Sequence, residues 1–214
     1  MNGTKYLQLD YRLIKGTAKY FLLFPAVFIF LLFRESSVFA VGYLYFILVF
    51  IAQTPFDAEV NKKGQTLFVI LPAKVKDMVL GRYLYLSSIL GLVWVLAAGA
   101  VLYLKGNGLI TPPETLIVIF TGAVASIICF IQYPLFYKFG LEKAKIVLFT
   151  MPAMITFMLP MLTERMLTDG GAVLLSKYLT DNKVVFATLV IVVVLLSGIL
   201  SYHLSCKVCK EREI

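Results

Sequence analysis

The sequence predicts an all-α integral membrane protein with six transmembrane helices, an N-terminal amphipathic helix at the interface, helical cytoplasmic loops and both termini in the cytoplasm. Three observations predict it. First, 60% of the 214 residues are hydrophobic and the mean hydropathy is +0.90, whereas a soluble domain is about 45–50% apolar. Second, the excess falls into six runs, 18–33, 37–55, 83–104, 115–137, 146–163 and 184–205, with no Asp, Glu, Lys or Arg in their interiors. A helix crosses a bilayer with about 17–25 such residues. Third, the positive charges sort by side. With a cytoplasmic N-terminus, fifteen Lys and Arg fall on inner segments and five (Arg34, Lys105, Arg165, Lys177 and Lys183) on outer ones. This is the positive-inside asymmetry. It accounts for the net charge of +8 without a nucleic-acid partner.

Taken in order, residues 1–17 contain "YLQLDYRLIK", apolar and charged residues mixed with no run of span length. This reads as an amphipathic helix on the inner membrane surface, the alternative being a frayed tail. No cleavable signal peptide is expected. The first span is short, and Lys15 and Lys19 can snorkel at its start. Residues 34–36 make a tight turn before the second span. The segment 54–82 is the longest cytoplasmic loop. Asp57, Glu59, Lys62 and Lys63 come first, then an apolar patch from Leu67 to Leu71. Pro72 suits a first helical turn, and from Ala73 a helix can run into the third span. Lys74 and Asp77 are spaced to pair, and Val75, Met78, Val79 and Arg82 share a face. A basic snorkelling collar explains the lysines but not the ordered-looking segment before them.

Beyond the third span, "KGNGLITPPE" at 105–114 is rich in turn formers. The fourth span has a small-residue face of Gly122, Ala123, Ala125 and Ser126, suited to close helix packing. An inner loop at 138–145 precedes the fifth span, and an outer loop at 164–183 precedes the sixth. Gln53 and Gln132, near inner helix ends, are expected to hydrogen-bond between helices. With no repeat and no linker, 1–214 reads as a single transmembrane domain.

Several chemistries are excluded. There is no GxxxxGK[ST] phosphate loop, no His, Asp and Glu cluster to hold a metal, and no nucleophile with a plausible base. The only histidine, His203, is expected to make an interhelical or interfacial hydrogen bond. Cys206 and Cys209 form a lone CxxC without a second ligand pair, so they read as reduced and inert. The spans lack the buried carboxylates of ion-coupled transporters. Energy for uphill transport would have to enter from the cytoplasm.

Two stretches carry a family resemblance. "ILPAKVKDMVLGRYL" at 70–84 and "QYPLFYKFGLEKAK" at 132–145 resemble the signatures of ABC-2 type permeases, the six-helix membrane subunits of bacterial ABC exporters. The basic tail "SYHLSCKVCKERE" fits the same pattern, and the resemblance extends to permeases that export phenol-soluble modulins and similar amphipathic toxins. It implies a multi-pass protein of the bacterial cell membrane. It also implies a transmembrane half that pairs with a second copy or a paralogue, a homodimer being favoured, and sits on separate ABC ATPase subunits. Those subunits would bind ATP and Mg, and this chain neither cofactor. The loops would carry cytoplasmic coupling helices: the main one from Asp57 to Phe68, including Glu59, Lys62, Lys63 and Gly64, and a smaller one with Lys138, Gly140, Glu142 and Lys143.

Two helical faces could meet a substrate. Phe39, Tyr43, Phe46 and Phe50 fall on one arc of the second span, and Met151, Met154, Met158 and Met161 on one arc of the fifth, flanked by Pro152 and Pro160. Since the resemblance places these spans beside a central cleft, an aromatic wall would face a methionine wall along the path of an amphipathic or apolar substrate. Ordinary packing or contact with membrane lipids is the alternative. The predicted function is therefore the permease subunit of an ATP-driven exporter, with ATP hydrolysis in a partner. Its rivals are a membrane-embedded enzyme of lipid metabolism and a passive channel or assembly factor.

Overall fold

The computed structural model describes residues 3–14, 27–28, 37–60, 75–140, 143–144 and 182–212. These contain six helices: α1 (Gly3–Ile14), α2 (Ser37–Ala52), α3 (Thr54–Val60), α4 (Val75–Gly106), α5 (Pro112–Phe139) and α6 (Lys183–Arg212). Among the described residues, four stretches are long and apolar enough to cross a membrane: Ala40–Asp57, Lys76–Gly106, Glu114–Phe139 and Val185–Glu211. They coincide with the second, third, fourth and sixth expected spans. The first expected span, apart from Val27 and Phe28, and the fifth lie outside the described residues.

Helix α2 has no charged residue. Its buried residues are Ala40, Val41, Leu44, Tyr45, Ile47, Leu48, Val49 and Ala52, most of them in neighbouring pairs repeated each turn. It ends one turn earlier than its hydropathy suggests. At the break, Gln53 O accepts from the backbone N–H of Phe56 at 3.0 Å and of Asp57 at 3.2 Å. Thr54 Oγ1 donates back to Ile51 O at 2.8 Å. Pro55, with no N–H to lose, fits the first turn of the new helix α3. Helix α3 thus begins at Thr54, three residues before the expected coupling segment that starts at Asp57.

Helix α4 has 32 residues and is about 48 Å long at 1.5 Å per residue. It runs unbroken from Val75 through the expected third span. Val79, Arg82, Leu86, Leu90, Val93, Ala97, Ala100 and Leu104 are buried at steps of three and four, a continuous seam for neighbouring helices. Asp77 in the first turn and Lys105 in the last complement the helix dipole. The C-terminus closes with a Schellman motif. Gly108 N–H donates to Lys105 O at 3.2 Å and Leu109 N–H to Leu104 O at 2.9 Å, with Gly108 at φ 68°, where glycine alone is unstrained. At the start of α5 the Glu114 carboxylate accepts from the backbone N–H and the hydroxyl of Thr111, each at 2.7 Å. Both ends of the α4–α5 turn are therefore pinned.

Helix α5 packs against α6, α2 and α4. Its small face works as expected of a close-packing surface. Tyr45 lies against Gly122, and Ser126 Oγ donates to Gly122 O at 2.7 Å while accepting from Trp94 Nε1 at 3.1 Å. Pro134 lies inside α5 and cannot supply the N–H that would bond Phe130 O, four residues earlier. Ser201 of α6 donates its hydroxyl to that carbonyl instead. Nearby, Gly198 lets the Phe130 ring approach to within 3.0 Å of where a Cβ would stand. Helix α6 otherwise touches the bundle through a narrow stripe of Val190, Ser201, Ser205 and Cys209, and only 11% of its span is buried.

Helix α1 packs against α4 and α3. Tyr6 and Asp10, one turn apart, are buried, while Gln8, Tyr11 and Arg12 are exposed. The face turned to the bundle thus carries polar tips, and Tyr11 hydrogen-bonds Ser88 at 2.7 Å. Burial, and secondly the Asp77 carboxylate, hold the Tyr6 phenol above its usual pKa, so it is neutral.

Candidate functional site

The segments that follow α2 and α5 begin side by side. The reason is Phe56, the third residue of α3, which is 4% exposed. Its ring meets Tyr133 at 5.1 Å, Phe136 at 4.8 Å and Tyr137 at 5.2 Å. These three lie at i, i+3 and i+4 on the last turns of α5, so helical periodicity points them the same way. Into this cage comes Arg82 of α4, 1% exposed, its guanidinium 4.4 Å from the Phe56 ring centre and 5.5 Å from that of Tyr137. A guanidinium is planar and weakly hydrated, so aromatic faces can replace part of its water.

Hydroxyl contacts surround this junction. Tyr133 donates to Ala52 O at 3.1 Å, tying α5 to the last turn of α2. Tyr85 bonds Thr54 Oγ1 at 2.8 Å and stacks edge-on against Tyr11 at 5.3 Å, joining α4 to α3 and α1. Tyr83 reaches Ser201 at 2.5 Å and Ser205 at 2.8 Å on α6. Because Ser201 spends its proton on Phe130 O, it accepts from Tyr83, which in turn accepts from Ser205. The chain of donors thus runs one way.

Of the first expected coupling segment, Asp57 is half-buried beside Phe56, and Glu59 lies on α3. Lys62, Lys63, Gly64 and Phe68 lie outside the described residues, as does Glu142 of the second segment. Lys138 and Lys143 are exposed. Gly140, at φ 77°, turns the chain after α5 and its N–H donates to Phe136 O at 3.0 Å. Of the aromatic wall, Tyr43, Phe46 and Phe50 are half-buried and Phe46 meets Phe50 at 4.9 Å. Phe39 is on α2, and Met151, Met154, Met158 and Met161 lie outside the described residues. Gln132, expected to bond between helices, is 1% exposed, and its Oε1 has no hydrogen-bond partner among the described residues. His203 is exposed at the end of α6, and none of the three cysteines is in a disulfide.

Sequence reasoning missed Phe56, Tyr133, Phe136, Tyr137 and the burial of Arg82. The aromatic spacing at the end of α5, and Arg82 three residues after the apolar Val79, were the available signals.

A bundle of long apolar helices with an aromatic and cationic knot at one end defines a multi-pass helical membrane protein. The chain belongs to the ABC-2 family transporter proteins, whose family model matches residues 7–210. It is thus a membrane permease subunit without an ATPase domain, not itself a catalyst, and the family implies a separate ATPase partner that binds ATP. No curated protein and no solved structure was found to match it.

Proposed function

We propose that this chain is the membrane-spanning half of an ATP-driven exporter of the bacterial cell membrane that moves amphipathic or apolar substrates, including peptide toxins of the phenol-soluble modulin kind. Two copies form the pathway, each with six spans and cytoplasmic termini. The observation that carries the reading is α3: a short helix anchored in the bundle by Phe56, whose next residues lead into the charged loop. This suits a segment that grips a soluble partner while staying fixed to the membrane helices. Asp57, Glu59, Lys62, Lys63, Gly64 and Phe68 form the main ATPase contact, and Lys138, Gly140, Glu142 and Lys143 the second.

The substrate class is supported by the walls. The half-buried aromatic face of Tyr43, Phe46 and Phe50 offers ring area to an apolar substrate. The methionines of the fifth span would supply a deformable apolar surface opposite it. The reading is tested by co-expressing the chain with a candidate phosphate-loop ABC ATPase from the same organism. The two should co-purify, hydrolyse ATP in lipid discs, and do so faster with an amphipathic helical peptide of alternating Leu and Lys faces. A permease that purifies alone and does not alter the ATPase's rate overturns it.

A further inference from the structure

The residue that remains unexplained by a membrane anchor is Arg82. A basic collar residue should extend to water, yet Arg82 is 1% exposed. A buried charge is a weak source of stability, since an apolar side chain of similar volume usually serves as well or better. Its contacts show what an apolar residue would not supply. The guanidinium stands 4.4 Å from the Phe56 ring of α3 and 5.5 Å from the Tyr137 ring of α5, and those two rings are 5.2 Å apart. One side chain of α4 thus closes a triangle over three helices. Phe56 belongs to the first inner loop, and Tyr137 is the residue before Lys138, where the second begins. The next residue, Tyr83, hydrogen-bonds Ser201 and Ser205 of α6 and meets the Tyr202 ring at 5.4 Å.

We infer that Arg82 is a positioning residue that makes both inner loops move as one body and passes their displacement into α4. The inference rests on the proposal that α3 docks on an ATPase. With its guanidinium over both the Phe56 and Tyr137 rings, Arg82 keeps α3, α4 and α5 together as α3 tilts. From Arg82 the displacement travels along one unbroken helix to Gly106. There the Schellman turn and the Thr111–Glu114 cap hand it to the start of α5 with five connecting residues, 107–111.

Hydrogen–deuterium exchange on the permease–ATPase complex in lipid discs tests this, comparing nucleotide-free and ATP–vanadate-trapped states. Two segments report. Docking of the ATPase protects 54–60, and trapping changes exchange in the 104–112 turn at the opposite end of α4. In Arg82→Lys, which keeps the charge but loses the plane, docking protection should persist while the change at 104–112 falls at least three-fold. Phe56→Leu, which removes the ring face from the other side, should do the same. It stands in for Arg82→Lys if that variant does not assemble. A purely structural Arg82 would give faster exchange in both states with the trapped-minus-free difference intact, and that result overturns the inference. So does a wild-type complex with docking protection at 54–60 but no nucleotide response at 104–112. If the ATPase leaves 54–60 unprotected in the wild type, the docking role of α3 fails, and the role of Arg82 falls with it.

Discussion

The phenol of Tyr45 fills the space that a side chain at position 122 would need: a Cβ built on Gly122 stands 2.5 Å from the Tyr45 hydroxyl oxygen and 2.6 Å from Cζ. Gly122→Ala must therefore displace a buried ring that also packs on Trp94 at 5.9 Å. Overpacking of this kind costs about 1–3 kcal/mol. Gly99 has nothing within 4 Å of its virtual Cβ, so Gly99→Ala should be neutral or stabilise by about 0.5–1 kcal/mol through helix propensity. Thermal unfolding in detergent separates the two. Equal midpoints for both variants would mean that Tyr45 does not seat on Gly122.

A second prediction concerns the bond between Tyr83 and Ser205. Tyr83→Phe and Ser205→Ala each remove one side of a 2.8 Å contact. Hydrogen bonds between membrane helices are worth about 0.6 kcal/mol on average and about 1.7 at most. The coupling energy from the double-mutant cycle should fall in that range. A value at zero would place the two hydroxyls apart in the membrane.

Charge reversal on the first inner loop should act on the partner and not on the fold. With Glu59→Lys and Lys62→Glu combined, the permease should insert and purify normally while substrate-stimulated ATP hydrolysis drops several-fold. Undiminished stimulation in a complex that still co-purifies would move the main contact elsewhere.

Topology can be read with one introduced cysteine at a time, in a background with serine at 206 and 209 and with Cys129 buried. Cysteines at Asn107 and Asp181 should react with an impermeant maleimide on intact cells, and one at Asn61 only after permeabilisation. The fifteen-to-five division of Lys and Arg requires this. Labelling of the Asn61 site from outside would invert the whole assignment.

The methionine wall separates pathway from packing. Met154→Val with Met158→Val keeps both sites apolar but stiffens them and shortens their reach. If they line the pathway, basal ATP hydrolysis should persist and stimulation by the Leu/Lys amphipathic peptide should fall, with Phe46→Val weakening the same step. A packing role shows instead as lost thermal stability with stimulation intact.

Hydropathy located α2, α4, α5 and α6 because each must hide about 20 peptide groups from lipid. It misplaced their ends for a physical reason. Apolar runs mark where lipid is, whereas backbone hydrogen bonds continue into water, so α6 reaches Arg212, past the run 184–205, and the start of α4 at Val75 was legible from Pro72 and not from the run 83–104. The small face around Gly122 was legible, but its partner Tyr45, 77 residues away, was not. The same holds for Arg82. Its neighbours Phe56 and Tyr137 come from segments whose approach depends on how three helices pack, and no local pattern encodes that distance. Sequence periodicity shows that a face exists, and tertiary packing decides what meets it.

The pairing of Pro134 with Ser201 gives this protein's sequence drift a direction. Losing Ser201 first strands the Phe130 carbonyl in an apolar interior, where an unmet backbone group costs several kcal/mol. Losing Pro134 first restores an N–H inside the helix and makes the serine dispensable. The route away from the present pair is therefore open in one order and closed in the other. A lineage that has acquired the proline stays committed to a hydroxyl on a different helix, 67 positions along the chain, for as long as it keeps that ring.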